Sequence, residues 1–192
     1  MRRMVVVAMI AAIAGEAAAQ RPDPAATMAA QKAAMARLAR LDGVWRGPAW
    51  TFLASGAKQD AIQTERVGPF LDGTVKVVEG RGYDPKTGAA IFNALAVISY
   101  DPAKDAYNLR TYAQGQSGDF KLTPTDDGYI WEIPAGPTMT IRYTVVITDT
   151  TWKEVGDRIT QSAPPARFME MTLTKSGSSD WPAAGAIPMK SP

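Results

Sequence analysis

The amino-acid sequence predicts an all-β protein, an antiparallel up-and-down β-barrel of about ten strands preceded by one short helix. Turn signals such as "DPKTG" and "SAPPA" recur after Gly43, and several of the runs between them alternate apolar and polar residues. No helical segment of useful length interrupts these runs, which excludes a βαβ fold. Closure into a barrel is favoured because an open meander leaves two exposed edge strands, and a sandwich is the alternative.

The composition limits the chemistry that this chain can carry. It has 192 residues, of which 46% are hydrophobic and 21% charged, the balance of one folded domain. The net charge is +2 with no basic stripe, so no nucleic-acid partner is expected. The absence of Cys and His excludes disulfides, thiol nucleophiles, thiolate zinc sites and Ser–His–Asp triads. We therefore expect no metal and no cofactor.

The first element, residues 1–19, has the pattern of a secretory signal peptide. Arg2 and Arg3 precede an apolar run at 4–15, and small residues at 17–19 precede Gln20. The alternative is a membrane anchor, but the run is about a dozen residues and a spanning helix needs roughly 20. The sequence predicts cleavage before Gln20, a periplasmic or secreted protein, and no membrane span after cleavage.

The second element, residues 20–42, predicts a helix that docks on the barrel. Asp23 is a suitable N-cap, Pro24 a suitable first helical residue, and Gly43 a suitable stop. The segment is too poor in apolar residues to form a domain of its own. Its narrow apolar stripe consists of Met35, Leu38 and Leu41.

The barrel itself is predicted to span residues 43–175. The stretch "TMTIRYTVVI" alternates cleanly, whereas "AAIFNALAVISY" is apolar on both faces and predicts a strand covered on its outer side by the helix. The tail, 176–192, is rich in Gly, Ser, Pro and Ala and is expected to be loose except where Trp181 holds it to the barrel. The predicted strands are 43–54, 59–68, 74–84, 89–100, 106–114, 117–123, 128–133, 138–148, 151–160 and 166–174.

Several stretches resemble a known group of barrels. "LDGVWRG", which leads from the helix into the first strand, resembles the Gly-x-Trp entry of the calycin superfamily of lipocalins, fatty-acid-binding proteins and nitrobindin-like barrels. "ERVGPFLDGTVKVVEGRGYDPKTG", "AVISYDPAKDAYNLRTY" and "TTWKEVGDRI" resemble secreted bacterial lipocalin-like domains of unknown function. The resemblance covers 41–175 and implies a fold and a cavity, but no reaction. Nitrobindin-like members hold haem through a histidine, which this chain lacks.

Trp45 of the Gly-x-Trp motif has two interpretations. It either closes one end of the barrel as a structural plug with a cation over its ring, or stacks a ligand at an open mouth. We favour the plug, because the N-terminal helix arrives at the same end. The predicted mouth is then the opposite rim.

Charged residues at mid-strand are the candidates for a polar ligand site, because a charge inside a barrel is costly unless it is paired or contacts a ligand. Arg142 and Glu170 are expected on the outer face, since apolar residues alternate with them. For the Arg110–Tyr112 and Trp152–Glu154 pairs, the interior and the solvated outer face stay open as alternatives. The candidate ligand-binding residues are Glu79, Arg110, Tyr112, Trp131, Trp152 and Glu154.

Three functions are compatible with this sequence. The favoured one is the binding of a small apolar or amphipathic ligand in the barrel cavity. The second is a filled barrel that acts as a structural or protein-interaction module, with an unknown partner. The third is a calycin-type enzyme with Glu154 or Glu79 as the base and Tyr112 or Arg110 as the electrophilic group. The sequence favours a role without catalysis and identifies no catalytic residue.

Overall fold

The computed structural model describes residues 23–181, which form one α-helix and ten β-strands. Helix α1 spans Pro24–Ala36, and two short 3-10 turns lie at Ala39–Leu41 and Leu71–Gly73. The strands are β1 (Gly43–Phe52), β2 (Lys58–Phe70), β3 (Val75–Tyr83), β4 (Ala90–Asp101), β5 (Ala106–Ala113), β6 (Gln116–Pro124), β7 (Gly128–Pro134), β8 (Met139–Ile147), β9 (Thr151–Thr160) and β10 (Ala166–Gly177).

The strands form a closed antiparallel barrel. Each strand pairs with its neighbours in the chain, and β1 pairs with β10 to complete the circle. The predicted all-β barrel, its ten strands and its preceding helix are confirmed, and closure excludes the sandwich. The predicted strand boundaries lie close to the observed ones because local turn chemistry sets them. In the β5–β6 hairpin, for example, Gln114 and Gly115 both have positive φ.

Helix α1 begins where the sequence predicts and ends earlier. The carboxylate of Asp23 accepts a hydrogen bond from the Ala25 N–H at 3.0 Å, and Pro24 is the first helical residue. The helix ends at Ala36 rather than at Gly43, because Leu38 leaves the helical conformation and the chain turns toward the barrel. Gly43 instead begins β1 with φ of 141°, in the region that favours glycine.

Helix α1 lies across one end of the barrel, which we call the closed end. The Tyr107 hydroxyl donates to the Ala34 carbonyl at 3.0 Å, and Met35 is buried in the same core as Ile98. The expectation that the helix covers the outer side of β4 is wrong, since Leu95 on that side is 38% exposed. The three stripe residues are instead buried in the core at the barrel end, where they are removed from water.

The described part of the tail follows β2 near the closed end. Trp181 contacts the ring of Phe70 edge-on, with centroids 5.5 Å apart, and the Arg66 guanidinium lies over its ring. The predicted signal peptide and residues 182–192 lie outside the described residues. Within 23–181, no helix is both long and apolar enough to cross a membrane.

Candidate ligand site inside the barrel

The pairing register separates residues that face the barrel interior from those that face outward. Ile98 and Leu122 are buried and mark the inner face. The register places Trp131 beside Leu122 and Glu154 beside the buried Val145. Three of the sequence candidates therefore face the interior, namely Trp131, Trp152 and Glu154, and three face outward, namely Glu79, Arg110 and Tyr112.

For Arg110 and Tyr112, whose position the sequence left open between the interior and the outer face, the register selects the outer face. They alternate on β5 with the buried Tyr107 and Leu109, so they face away from the interior. Arg110 forms an ion pair with Asp119 on β6 and lies over the Tyr112 ring at 5.3 Å, with 42% of its side chain exposed. A guanidinium on the outer wall keeps its hydration, which is why this face suits it.

Glu79 also faces outward, where it accepts a hydrogen bond from Arg81 at 3.1 Å. Together with Leu95 and Tyr112, it lines an open groove of about 840 Å³ on the outer wall of β3–β6. This groove is large but shallow, and its polar groups remain hydrated. The polar groups buried inside the barrel lack this hydration, and they therefore form the stronger candidate site.

The other two mid-strand charges lie where alternation predicts. Arg142 donates to Glu132 at 2.7 Å on the outer face of β7 and β8. Glu170 lies within 3.4 Å of the Lys153 ammonium on the outer face of β9 and β10. Neither charge contributes to the interior.

Glu154 is the central polar residue of the inner wall. Its Oε1 accepts a hydrogen bond from the Trp131 indole N–H at 3.4 Å. Burial raises the pKa of Glu154 from 4.5 to about 7, against the lowering effects of the Trp131 and Trp152 N–H groups. The Trp152 Nε1 nevertheless has no hydrogen-bond partner of good geometry in the described chain. A carboxyl and a spare donor thus lie together in an apolar interior.

Glu65 on β2 is a second buried carboxyl, which is not among the candidate residues from the sequence. Its Oε1 accepts from the Gln63 amide at 2.7 Å. Burial raises the pKa of Glu65 to about 8, and the charge of Glu154 adds to the rise. Gly80, opposite on β3, provides the space, because a Cβ there would lie 2.7 Å from Glu65 Oε1. The feature of the sequence that could have identified Glu65 is Gly80, the glycine that lies opposite it on the next strand.

Two tyrosines lie near these carboxyls. Burial raises the pKa of Tyr129 well above its usual value, and both Glu154 and Glu65 raise it further. Burial also raises the pKa of Tyr143 to about 12, with Glu154 again contributing. Since both carboxyls act on Tyr129, the two acids and this phenol form one cluster. Each of these groups can donate or accept a proton in a hydrogen bond with a ligand.

Trp45 lies at the closed end, below this cluster. It is fully buried, its indole N–H donates to the Leu41 carbonyl at 2.8 Å, and the Lys175 ammonium lies 5.0 Å from its ring. Lys76, also buried, pairs with Asp42 at the same end. These contacts fill the closed end and leave no free face of Trp45 for a ligand.

The opposite rim is more open. Large apolar side chains there are partly exposed, in particular Phe52 and Phe92. Small inward residues such as Gly82 and Ala94 occupy the wall between this rim and the carboxyls. The barrel interior is therefore filled at the closed end and lined by smaller residues toward the rim.

No family model matches the chain, and no curated protein matches it. Its fold is similar to that of Rv2717c from M. tuberculosis, with a TM-score of 0.56 and 10% identity over 74% of this chain and 97% of that one. It is also similar to the S-type phycobiliprotein lyase CpeS from Guillardia theta, with a TM-score of 0.50 and 11% identity over 82% and 99% of the two chains. These similarities support the closed barrel fold and show the fold alone.

Proposed function

We propose that the barrel binds a small amphipathic molecule in its interior, with the polar group of the ligand at Glu154 and the apolar part toward the open rim. The observation that carries this proposal is the buried Glu154 carboxyl beside the unpaired Trp152 N–H. Burying such groups without full hydrogen bonding costs about 1–3 kcal/mol each. A bound polar group supplies the missing hydrogen bonds and offsets that cost.

The interior chemistry selects among ligands. A carboxylate ligand next to Glu154 is disfavoured, because Glu65 and Glu154 already face that space and a third acid would repel them, whereas the Arg158 guanidinium of the same strand lies over the Phe168 ring. An amine, amide or hydroxyl group suits the two acids, which accept when ionised and donate when protonated. The lyase among the similar structures supports small-molecule binding as a role that this fold can take.

Native mass spectrometry of protein purified from its own host tests this function. We expect a co-purifying small molecule that is lost or reduced in Glu154→Gln. Glu170→Gln is the matched control, because Glu170 lies on the outer face of the neighbouring strand. Equal retention by both variants would place the ligand elsewhere. No ligand under any condition would favour the structural or protein-interaction module.

A second candidate function, acid–base catalysis, is favoured by one observation. Glu154 and Glu65 have pKa values raised to about 7 and about 8 beside Tyr129, the range that suits a general acid or base. We expect a catalytic barrel to exchange an acidic C–H of the co-purifying molecule for deuterium in heavy water. Exchange that is equally fast with Glu154→Gln would contradict catalysis by this carboxyl.

Secretion is part of the same proposal, and its support is the sequence of residues 1–19. We expect the mature chain to begin at Gln20 and to fractionate with the periplasm or the medium. N-terminal sequencing of the protein from its host is the measurement. A retained Met1 in the cytoplasmic fraction would contradict it.

A further inference from the structure

The barrel is incompletely paired between β6 and β7. These strands pair only through Leu122–Trp131, Thr123–Ile130 and Pro124–Tyr129. Residues 116–121 of β6 and 132–134 of β7 continue toward the open rim, paired only with their other neighbours. We call this unpaired stretch the seam. On the β6 side it is about 20 Å long, from six residues at roughly 3.3 Å each.

Aromatic side chains line the inner wall beside the seam. The ring of Phe120 on β6 lies 5.7 Å from that of Trp131 on β7, so the two face each other across it. Trp131 stacks on Tyr143 at 4.1 Å and an interplanar angle of 7°, and Tyr143 meets Phe168 at 5.9 Å. Four rings thus form a continuous row from β6 to β10.

Two glycines allow these rings to lie against the wall. A Cβ at Gly118 would collide with the Phe120 ring, and a Cβ at Gly156 would lie 2.9 Å from Phe168 and 3.1 Å from Tyr143. Because the rings occupy the space of the missing side chains, they project less into the interior. Trp131 and Tyr143 stack on each other and the Arg158 guanidinium lies 4.7 Å from the Phe168 ring, so the row forms a mainly aromatic stretch of the inner wall.

The row leads to the polar cluster, because the Trp131 indole that stacks in the row donates its N–H to Glu154. A molecule that enters at the seam therefore meets Phe120 first, then Trp131, then a carboxyl. A partner strand is a poor occupant by comparison. A strand inserted there would have to pair with both edges, and although the free edge of β6 has six residues, that of β7 has only three, one of which, Pro134, has no N–H to donate.

The geometry points to the seam as the entrance and binding slot for a flat, conjugated ring system bearing a hydrogen-bond donor. The ring system lies between the two hairpins against Phe120 and Trp131, and the donor reaches Glu154. Aromatic contacts of this kind favour planar molecules over flexible chains. This inference rests on the proposed function, because it assigns the route and the ligand class of the same interior site.

A disulfide across the seam tests the entrance. The chain has no cysteine, so Lys121→Cys with Glu132→Cys introduces one pair, at the first positions beyond the last paired residues. The probe is phenylnaphthylamine, a secondary amine that carries a flat naphthyl ring system and whose fluorescence rises in apolar surroundings. We expect oxidation to slow its association by about tenfold or more, and reduction to restore the rate. Val146→Cys with Lys153→Cys, across fully paired strands, is the control.

A single substitution tests the slot without a disulfide. Phe120→Leu should weaken phenylnaphthylamine binding by about twofold to tenfold, the value of one aromatic contact. Phe52→Leu, at a partly exposed aromatic outside the row, should not. Dodecylamine, a flexible amine, should displace the probe less well than aminoacridine, a planar one.

The outcomes separate the two proposals. If phenylnaphthylamine associates equally fast after the seam is oxidised, or binds Phe120→Leu with unchanged affinity, the seam is not the entrance. If the binding of the probe nevertheless depends on Glu154, the interior site of the proposed function still holds. Displacement by dodecylamine as strong as by aminoacridine overturns the ligand class. Absence of both probe binding and a co-purifying molecule overturns the proposed function itself.

Discussion

At the scale of single residues, the buried carboxyl of Glu154 makes stability depend on pH. Burial raises its pKa in the folded chain from 4.5 to about 7. The folded state therefore binds the proton more tightly than the unfolded state. The resulting stabilisation is fully present below about pH 4.5 and is lost as the pH rises through about 7. The difference is on the order of 3 kcal/mol.

We expect Glu154→Gln to reduce this pH dependence, because the amide stays neutral throughout. The measurement is the urea midpoint of unfolding at pH 5 and at pH 8. The wild-type protein should be less stable at pH 8 than at pH 5, and the variant should lose less stability between these two pH values. Part of the dependence should remain, since the pKa of Glu65 is also raised, to about 8.

Glu170→Gln is again the matched control and should keep the full wild-type difference between the two pH values. Its carboxylate pairs with Lys153 and Arg167 on the outer wall. A Glu154→Gln variant with the pH dependence of wild type would show that Glu154 is not held neutral in the folded chain.

The direction in which single side chains point was the feature least predictable from the sequence. Trp152 and Glu154 alternate with polar and apolar neighbours in a way that left both faces open, and the register placed them inside. Glu65 lies among Thr64 and Arg66, so polar residues occupy both faces of that stretch. Gly80 on the adjacent strand indicates that Glu65 faces inward, but the pairing of the two strands has to be known before this glycine can be used.

At the scale of elements, helix α1 stabilises the barrel by closing one end. We expect Met35→Ala to lower the free energy of unfolding by about 2–5 kcal/mol, because Met35 is buried in the core shared with Trp45. Met28→Ala on the same helix is the control, since Met28 is 47% exposed. Urea denaturation gives both values, and similar losses in the two variants would contradict end closure by this face.

Element boundaries were largely predictable for a local reason. Asp, Gly and Pro fix the turns through their own backbone preferences, so each hairpin is encoded within a few residues. The end of helix α1 was not predictable in this way. In the sequence, Leu38 and Leu41 continue the apolar stripe of the helix. In the structure the helix ends before them, because both side chains are buried in the core at the barrel end.

At the scale of the whole molecule, pairing of β1 with β10 joins distant parts of the chain. The Ser176 hydroxyl donates to the Val44 carbonyl at 3.1 Å across a separation of 132 residues. This pairing also covers Leu173, which is completely buried. Removing β10 would open two strand edges and uncover the core at once.

We expect a chain that ends at residue 165, without β10, to lose cooperative unfolding. A chain that ends at residue 181 keeps every described element and should unfold as wild type does. Circular dichroism during urea titration distinguishes them through the sharpness of the transition. A cooperative transition in the shorter chain would show that closure is dispensable.

The closed end also gives this protein an optical signature. Trp45 and Trp152 lie 5.9 Å apart at an angle of 86°, both buried. We expect two indoles held so near in a fixed, chiral arrangement to couple their electronic transitions and to produce paired bands of opposite sign in circular dichroism. Because one indole sits on the first strand and the other on the ninth, that couplet reports only chains whose barrel has closed. The molecule thus carries an internal spectroscopic probe of its own circular topology.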